Sequence, residues 1–188
     1  MKKPLIETIT LEKIVGGGQA IGTLADGRKA FVWGGLPDET VEIECNKQKN
    51  KFVEGTVTKV IKASHDRVEP RDPESYLSTS PWQIMNFSRE QHYKAALITE
   101  AFDLNNVALP GPIEVYTDNV DYEYRNKVEF SWWWDLDTSQ LDLAFFRRGT
   151  HGKIPVDHMS LARPEINSLA IRVRDLLRTK GFEAHDLK

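Results

Sequence analysis

Hydrophobic and polar residues alternate in short runs over residues 5–62, which is the pattern of strands buried on one face. Val41, Ile43 and Cys45, for example, alternate with Glu42 and Glu44. Glycine and proline turn signals separate the runs. The pattern predicts strands at residues 5–15, 19–24, 29–33, 40–47 and 51–61. Short strands around a three-glycine bend favour a small closed barrel of OB type, with Cys45 pointing into its core.

The pattern changes after residue 64. Residues 64–79 are polar and contain Pro70 and Pro73, which predicts a linker. Ser88 and Gln91 have the spacing of a capping box and predict the start of a helix. Its apolar stripe comprises Tyr93, Ala96, Leu97, Ala101 and Phe102. A strand is predicted at residues 113–117, after a Pro-Gly-Pro break.

Residues 122–147 predict a β-hairpin with its loop at residues 135–140. Val128, Phe130, Trp132 and Trp134 alternate with other side chains, so Trp132 and Trp134 are expected in the core and Trp133 outside it. A last helix is predicted from Pro164 to a closing glycine at 181. Its expected buried face comprises Ile166, Leu169, Ala170, Val173, Leu176 and Leu177.

These elements predict a β-barrel followed by a small α+β domain. The boundaries are residues 1–65 for the barrel, 66–80 for the linker and 81–188 for the α+β domain. The chain has 188 residues, a hydrophobic content of 40% and a net charge of -3, as in an ordinary globular protein. Residues 66–144 carry six Lys or Arg against fifteen Asp or Glu, and residues 145–180 carry eight against three. This uneven distribution of charge is expected for a surface that contacts RNA through its basic segments. It is equally expected for solvated charge without a partner.

The number of cysteines and the length of the apolar runs restrict the expected location and partners of the protein. The single cysteine, Cys45, excludes an intrachain disulfide, so a cytoplasmic location is expected. No apolar run approaches the roughly 20 residues that span a bilayer, and no membrane partner is expected. We expect a monomer.

Cations beside aromatic rings, the residue types that bind RNA phosphates and bases, cluster at strand ends. The candidate RNA-binding residues are Arg28, Lys29, Trp33, Lys47, Lys49, Lys51, Phe52, Arg125, Lys127, Phe146, Arg147, Arg148 and His151. Phe31 is interpreted as barrel core. Two interpretations compete with RNA binding. Residues 47–52 could form only a solubilising turn, and residue 125 could form a salt bridge to Glu123 or Glu129.

Several sequence pieces resemble, in order and spacing, the front part of the RNA uracil-5-methyltransferase family. In the barrel they are GGGQAIG at 16–22, FV at 31–32, GLPDETV at 35–41, GTV at 55–57 and RVEP at 67–70. Beyond it they are PWQ at 81–83, YRNK at 124–127, FRRG at 146–149, DH at 157–158 and PEIN at 164–167. The barrel is similar to a TRAM domain, and the second part resembles the central domain of the family.

The resemblance implies recognition of structured RNA, tRNA or rRNA, and presentation of a uridine to a catalytic domain. It implies that this catalytic domain and its S-adenosylmethionine site lie beyond residue 188, so no catalytic or cofactor-binding residue is expected here. Many members also hold an iron–sulfur cluster on four cysteines. No cysteine occurs at residues 71–80, and Met159 follows His158, so no cluster and no metal are expected. The alternatives are a stand-alone RNA-binding module and a protein-interaction module.

Overall fold

A computed structural model describes residues 5–148 and 152–184 of the chain. The described residues divide into two compact units. Unit 1 contains the described residues up to Pro70 together with Ser80–Thr117, and unit 2 contains Arg71–Thr79 together with the described residues from Asp118 onward. These units interleave along the chain, whereas the division predicted from sequence follows chain order. In the described ranges, no helix combines the length and apolar content needed to cross a membrane.

Five strands close into a barrel in unit 1. They are β1 (Leu5–Ile14), β2 (Ala20–Thr23), β3 (Lys29–Trp33), β4 (Thr40–Gln48) and β5 (Phe52–Lys62). The barrel order is β1-β2-β3-β5-β4, with β3 and β5 parallel and the other neighbours antiparallel. The predicted OB-like barrel is therefore confirmed, and its strands lie close to the predicted runs.

Alternate residues of these strands fill the barrel. The core consists of Ile9, Leu11, Ala20, Leu24, Ala30, Val32, Val41, Ile43, Cys45 and Val53. Cys45 is 7% exposed and lies among these aliphatic side chains, which confirms that it acts as a small core residue. Burial, followed by the nearby Glu7 charge, raises the pKa of the Cys45 thiol. The thiol is therefore held in its protonated form.

A buried carboxylate joins the β3–β4 connection to the segment that follows the barrel. Glu39 is fully buried, and Arg67 donates to it from Nε at 2.5 Å and from Nη2 at 2.7 Å. The Glu39 carboxylate also accepts from the backbone N–H groups of Leu36 at 2.9 Å and Ser64 at 3.2 Å. Arg67 Nη2 donates in addition to the carbonyl of Gly34 at 2.9 Å. Both charges thus lie within a network of hydrogen bonds, as a buried ion pair requires.

The three-glycine bend receives a tryptophan from the second segment of unit 1. Gly17 and Gly18 have φ values of +94° and +90°, a region that favours glycine. Trp82 belongs to a 3₁₀ turn, Pro81–Ile84, and its Nε1 donates to the Gly18 carbonyl at 3.3 Å. A Cβ on Gly18 would lie 2.8 Å from that nitrogen. The bend therefore needs glycine for both its backbone conformation and this close contact.

The first long helix begins earlier than predicted. The short helix α1 (Tyr76–Thr79) belongs to unit 2, and the long helix α2 (Phe87–Leu104) belongs to unit 1. Asn86 is the N-cap of α2, because its side chain accepts from the Arg89 N–H at 3.0 Å. Ser88 instead donates to Asn86 Oδ1, so the predicted capping box is wrong. The predicted strand at residues 113–117 is also wrong, since this segment pairs with no strand among the described residues.

Unit 2 contains a three-stranded antiparallel sheet, β6 (Ser131–Asp135), β7 (Gln140–Phe146) and β8 (Lys153–Pro155). The predicted hairpin is present, but its first strand begins at Ser131. Val128 and Phe130 precede it and pack against the buried cluster of Phe145, Met159, Leu161 and Ala162 without joining the sheet. Trp132 and Trp134 lie opposite Leu143 and Leu141, Trp133 lies opposite Asp142, and all three rings are half-buried.

The last helix, α3 (Pro164–Thr179), buries a different face from the predicted one. Leu169, Val173 and Leu176 are 60%, 40% and 55% exposed, whereas Arg174 is 9% exposed. Arg174 Nη1 donates to the Asp157 carboxylate at 2.6 Å, so its buried charge is paired. Arg174 thus pairs with Asp157 and Asp142, acids distant in sequence that the apolar periodicity of α3 does not reveal.

Substitution of Glu39 by glutamine tests the buried ion pair. Glu39→Gln leaves the Arg67 guanidinium without its opposite charge, and removal of one partner of such a pair costs about 3–5 kcal/mol. The free energy of unfolding, measured by urea denaturation, should fall by that amount. Glu44→Gln, on the strand β4 that follows and half-exposed, is the matched control and should change it by less than about 0.5 kcal/mol. Equal effects of the two substitutions would contradict the structural role of the pair.

The only thiol reports on closure of the barrel. Cys45 should react slowly with a thiol reagent at pH 8 in the folded protein and rapidly after denaturation. Because its folded pKa is raised, the folded state retains the proton and stability should decline as pH rises above the unfolded value of about 8.5. Cys45→Ala should remove this component of the alkaline decline. Rapid labelling of the native protein would show that the thiol is not enclosed.

Candidate RNA-binding surfaces

The outer side of β3 carries the aromatic residues of the first surface. Ala30 and Val32 point into the barrel, so Phe31 and Trp33 lie on the other side and are half-buried. The prediction that Phe31 belongs to the core is therefore wrong. The small inward residues on both sides of Phe31 were the available sequence signal. With core space taken by Ala30 and Val32, the period of two sends the larger ring outward.

Phe31 and Phe52 form an edge-to-face pair on this outer side. Their ring centroids lie 5.7 Å apart with planes at 90°. The parallel register of β3 and β5 sets Lys29 opposite Phe52 and Phe31 opposite Glu54. We call the set of Lys29, Phe31, Lys47 and Phe52 the barrel face. It combines rings on which bases can stack with cations that can contact phosphates.

Both cations of the barrel face have carboxylate neighbours. Lys47 Nζ lies 2.6 Å from Glu54 Oε1 and 5.9 Å from the centroid of the Phe52 ring. Lys29 Nζ donates to Glu12 at 3.2 Å, and hydrogen bonds from Thr23 and then Lys29 lower the pKa of Glu12. The Glu12 and Glu54 carboxylates partly offset the positive charge of the surface.

The turn between β4 and β5 carries two further lysines, Lys49 and Lys51. Lys49 and Lys51 are exposed, and the Lys49 N–H donates to the Phe52 carbonyl at 2.9 Å to close the turn. Within the described ranges, the structure records no carboxylate partner for either ammonium group. Arg28, by contrast, donates from Nε to Asp26 at 2.7 Å, and this bond lowers the pKa of the Asp26 carboxyl. The structure therefore makes Lys49 and Lys51 better phosphate candidates than Arg28.

In unit 2 the backbone holds Arg125 at a fixed position. Its N–H donates to the Leu161 carbonyl at 2.9 Å, and its carbonyl accepts from the Arg163 N–H at 3.1 Å. Its guanidinium Nη2 donates to the Thr79 carbonyl at 3.4 Å. Lys127 forms the competing salt bridge that sequence suggested for residue 125, with Nζ 2.7 Å from Glu129 Oε1.

The segment after β7 carries two arginines in different environments. Phe146 is 63% exposed, and Lys153 Nζ lies 5.3 Å from its ring centroid. Arg147 is exposed, while Arg148 is half-buried and donates from Nε to the Leu77 carbonyl at 2.6 Å. Burial lowers the pKa of Arg148, although the group stays charged at neutral pH. His151, the last predicted contact, lies outside the described residues.

A buried aspartate lies in the segment where the family resemblance would require cluster ligands. Both Asp72 oxygens accept from the Ser160 N–H at 3.1 Å, and the Ser160 hydroxyl donates to Asp72 Oδ2 at 2.7 Å. Met159 is 1% exposed and packs in the core of unit 2. Carboxylate, hydroxyl and thioether groups are not the thiolates that iron–sulfur clusters require, so these residues do not fit a cluster. Among the described residues, no group of three or more His, Cys, Asp or Glu side chains could hold a metal ion.

His158 is paired with a different aspartate from its sequence neighbour. Its Nε2 lies 3.5 Å from Asp72 Oδ1, while Asp157 binds Arg174. No serine or cysteine donates to His158 in the recorded contacts of the described chain. The described contacts of His158 therefore include an aspartate and no nucleophile.

Comparisons with known proteins identify similar chains among RNA-modifying enzymes. No protein-family model matches the chain. It is 27% identical over 183 residues, 96% of its length, to an uncharacterised RNA methyltransferase of Gloeobacter violaceus. It is 29% identical over 176 residues, 91% of its length, to the 23S rRNA (uracil(1939)-C(5))-methyltransferase RlmD of Vibrio cholerae. The chain spans 40% and 39% of the lengths of these two relatives.

The fold is shared with a solved enzyme. The tRNA (uracil-54, C5)-methyltransferase of Pyrococcus abyssi, in complex with S-adenosyl-L-homocysteine, matches with a TM-score of 0.60 and 13% sequence identity. The match covers 93% of this chain and 37% of that one. It supports a fold that contains a barrel and a small α+β part.

The two arginines after β7 should respond differently to alanine. Arg148→Ala removes the charged donor to the Leu77 carbonyl and should lower the free energy of unfolding by about 1.5–3 kcal/mol. Arg147→Ala should change it by less than about 0.5 kcal/mol, because the side chain is exposed. Thermal or urea denaturation of the two single variants measures this difference. Equal stability of both would show that the Arg148 bond contributes nothing.

Proposed function

We propose that this chain is the RNA-recognition portion of an S-adenosylmethionine-dependent RNA (uracil-5-)-methyltransferase. The observation that carries the proposal is the match of 91% of the chain to RlmD at 29% identity. Most of the chain aligns, so the similarity extends beyond the barrel. The 13% identical structural neighbour supports the fold and adds no evidence on the substrate.

In this proposal the barrel is a TRAM domain, at residues 1–65, and residues 66–80 connect it to a central α+β domain at 81–188. The RNA is a structured tRNA or rRNA. S-adenosylmethionine and the catalytic residues belong to the part of the relatives that this chain does not match. None of the described residues is assigned to cofactor binding or to methyl transfer.

The barrel face would bind unpaired bases of the RNA by stacking. The planes of the Phe31 and Phe52 rings lie at 90° to each other, so the edge of one ring meets the face of the other. Lys49 and Lys51 would contact the phosphates that flank those bases. Stacking tolerates any base, whereas phosphate contacts make affinity depend on salt.

Residues in unit 2 would extend the contact. Arg125 has a fixed backbone and a planar group that suits phosphate or a base edge. Arg147 is exposed beside Phe146 and repeats the combination of cation and ring. A uridine that is to be methylated at C5 must leave its stack, and such contacts would hold the RNA in the opened form.

Salt-dependent titration of a structured RNA tests the proposal. Wild-type protein should bind with an affinity that falls steeply as salt rises. Lys49→Ala combined with Lys51→Ala should weaken binding and reduce the slope of log K against log salt by about 1.4, which is two contacts at about 0.7 each. Lys59→Ala combined with Lys62→Ala removes the same charge from the exposed end of β5 and is the matched control.

The control pair should change the slope by less than half as much. If both pairs act equally, the attraction is non-specific and the tip of the β4–β5 turn is not a site. If the wild-type protein shows no salt-dependent RNA binding, the proposed function is wrong.

A further inference from the structure

The short helix α1 is bonded to two arginines from different parts of unit 2. Arg125 Nη2 donates to the Thr79 carbonyl at 3.4 Å, and Arg148 Nε donates to the Leu77 carbonyl at 2.6 Å. Carbonyl groups in the last turn of a helix have no partner within the helix, and cations are favoured at that end. Through these two bonds α1 holds the segment of Arg125 and the end of β7.

Helix α1 depends on contacts outside itself. It has four residues and buries none of them, and an isolated helix of this length is not stable in water. At its start, the N–H groups of Ser75 and Tyr76 donate to the Asp72 carbonyl at 3.0 and 2.8 Å. The position of α1 therefore follows from the position of Asp72.

The side chain of Asp72 fixes that position. The residue is 5% exposed, and both of its carboxylate oxygens accept from the Ser160 N–H at 3.1 Å. The Ser160 hydroxyl donates to Oδ2 at 2.7 Å, and His158 Nε2 lies 3.5 Å from Oδ1. A buried carboxylate is costly unless it is hydrogen-bonded, so these contacts hold Asp72 against residues 158–160.

The same residues hold the backbone of the arginine segment. The Glu123 N–H donates to the Ser160 carbonyl at 3.1 Å, and the Arg125 N–H donates to the Leu161 carbonyl at 2.9 Å. Arg125 is thus bonded to residues 160–161 through its backbone and to α1 through its guanidinium. Asp72 connects these two attachments, because it binds Ser160 and begins α1.

We propose that Asp72 is a positioning residue for RNA binding by unit 2. Its carboxylate does not contact the RNA. Through α1 it fixes the guanidinium of Arg125, and through the bond of Arg148 to α1 it fixes the end of β7, which carries Phe146 and Arg147. A guanidinium that is already held in place loses less conformational freedom when it binds a phosphate. This inference rests on the proposed function, which assigns RNA contacts to Arg125 and Arg147.

Nuclear magnetic resonance of the unbound chain tests the positioning without RNA. Asp72→Asn replaces one acceptor oxygen with a donor, so α1 should lose its anchor. The Arg148 Nε–H signal, assigned by its absence in Arg148→Lys, should then exchange with water about tenfold faster, as expected when a hydrogen bond of a charged group opens. Glu74→Gln removes the same charge from an exposed side chain of the same segment, and this matched control should leave the signal unchanged.

Titration of a structured RNA hairpin with an unpaired loop, followed by fluorescence anisotropy over a range of salt, tests the effect on binding. Asp72→Asn should weaken binding about fivefold and reduce the slope of log K against log salt by about 0.7, which is one phosphate contact. Glu74→Gln should reduce neither. In an Arg125→Ala background, Asp72→Asn should cost less than about twofold further, because the two residues act through one contact.

Unchanged exchange of the Arg148 signal in Asp72→Asn would show that Asp72 does not hold α1, which overturns the inference. Faster exchange with unchanged RNA affinity and slope would also overturn it, since Asp72 would then be structural only, and the barrel-face proposal would stand. Absence of salt-dependent binding by the wild-type protein would overturn the proposed function and the inference together.

A milder substitution keeps the test decisive if Asp72→Asn does not fold. Ser160→Ala removes the hydroxyl donor to Asp72 and retains the backbone N–H donor. It should change the Arg148 signal and the RNA affinity in the same directions, with a loss of affinity of about twofold. No change in either measurement would contradict the role of Asp72.

Discussion

The buried pair of Glu39 and Arg67 is the constraint on which the architecture of unit 1 depends. One carboxylate accepts two backbone N–H groups and two guanidinium bonds, and this fixes the β3–β4 connection against the segment that leaves β5. Two further hydrogen bonds hold that segment against the residues around the start of α2. The Val68 N–H donates to the Ile84 carbonyl, and Arg89 Nε donates to Asp66 at 2.7 Å. The start of α2 is therefore positioned through the same pair that closes the barrel connection.

The interior of the barrel is small and apolar, so the residues proposed to contact RNA lie on its outer surface. Ala30 and Val32 take the inward positions of β3, and the register of β3 with β5 brings Phe31 beside Phe52. Cations at the ends of β4 and β5 flank the rings. The proposed RNA contact thus follows from strand alternation and barrel order.

Local patterns were sufficient to predict the barrel strands, the β6–β7 hairpin and the two long helices, and insufficient to predict the contacts between them. Alternation around Val41 and Ile43 predicted the strand and the inward cysteine. Periodicity also predicted the last helix, but not its orientation, because Arg174 is buried by ion pairs with acids distant in sequence. Glu39 was not identified as a core residue for the same reason. Glutamate is rarely buried without a partner, and its partner lies 28 residues away.

Sequence patterns likewise predicted only part of the candidate site. The cluster from Lys47 to Phe52 is contiguous in sequence and could be found from residue type alone. Phe31 could be assigned only once the inward positions were known. The Arg125 guanidinium binds the carbonyl of Thr79, 46 residues away in the chain, and this contact depends on tertiary packing that composition and spacing do not reveal.

Photochemical crosslinking to a 4-thiouridine-substituted hairpin RNA, with mass-spectrometric identification of the attached residues, tests the central claim most directly. If the chain recognises RNA through the barrel face, the crosslinks should concentrate on Phe31, Phe52 and the intervening turn between β4 and β5. They should disappear in an excess of unlabelled RNA and at high salt. Crosslinks spread over the exposed surface, or none at Phe31 and Phe52, would contradict the account.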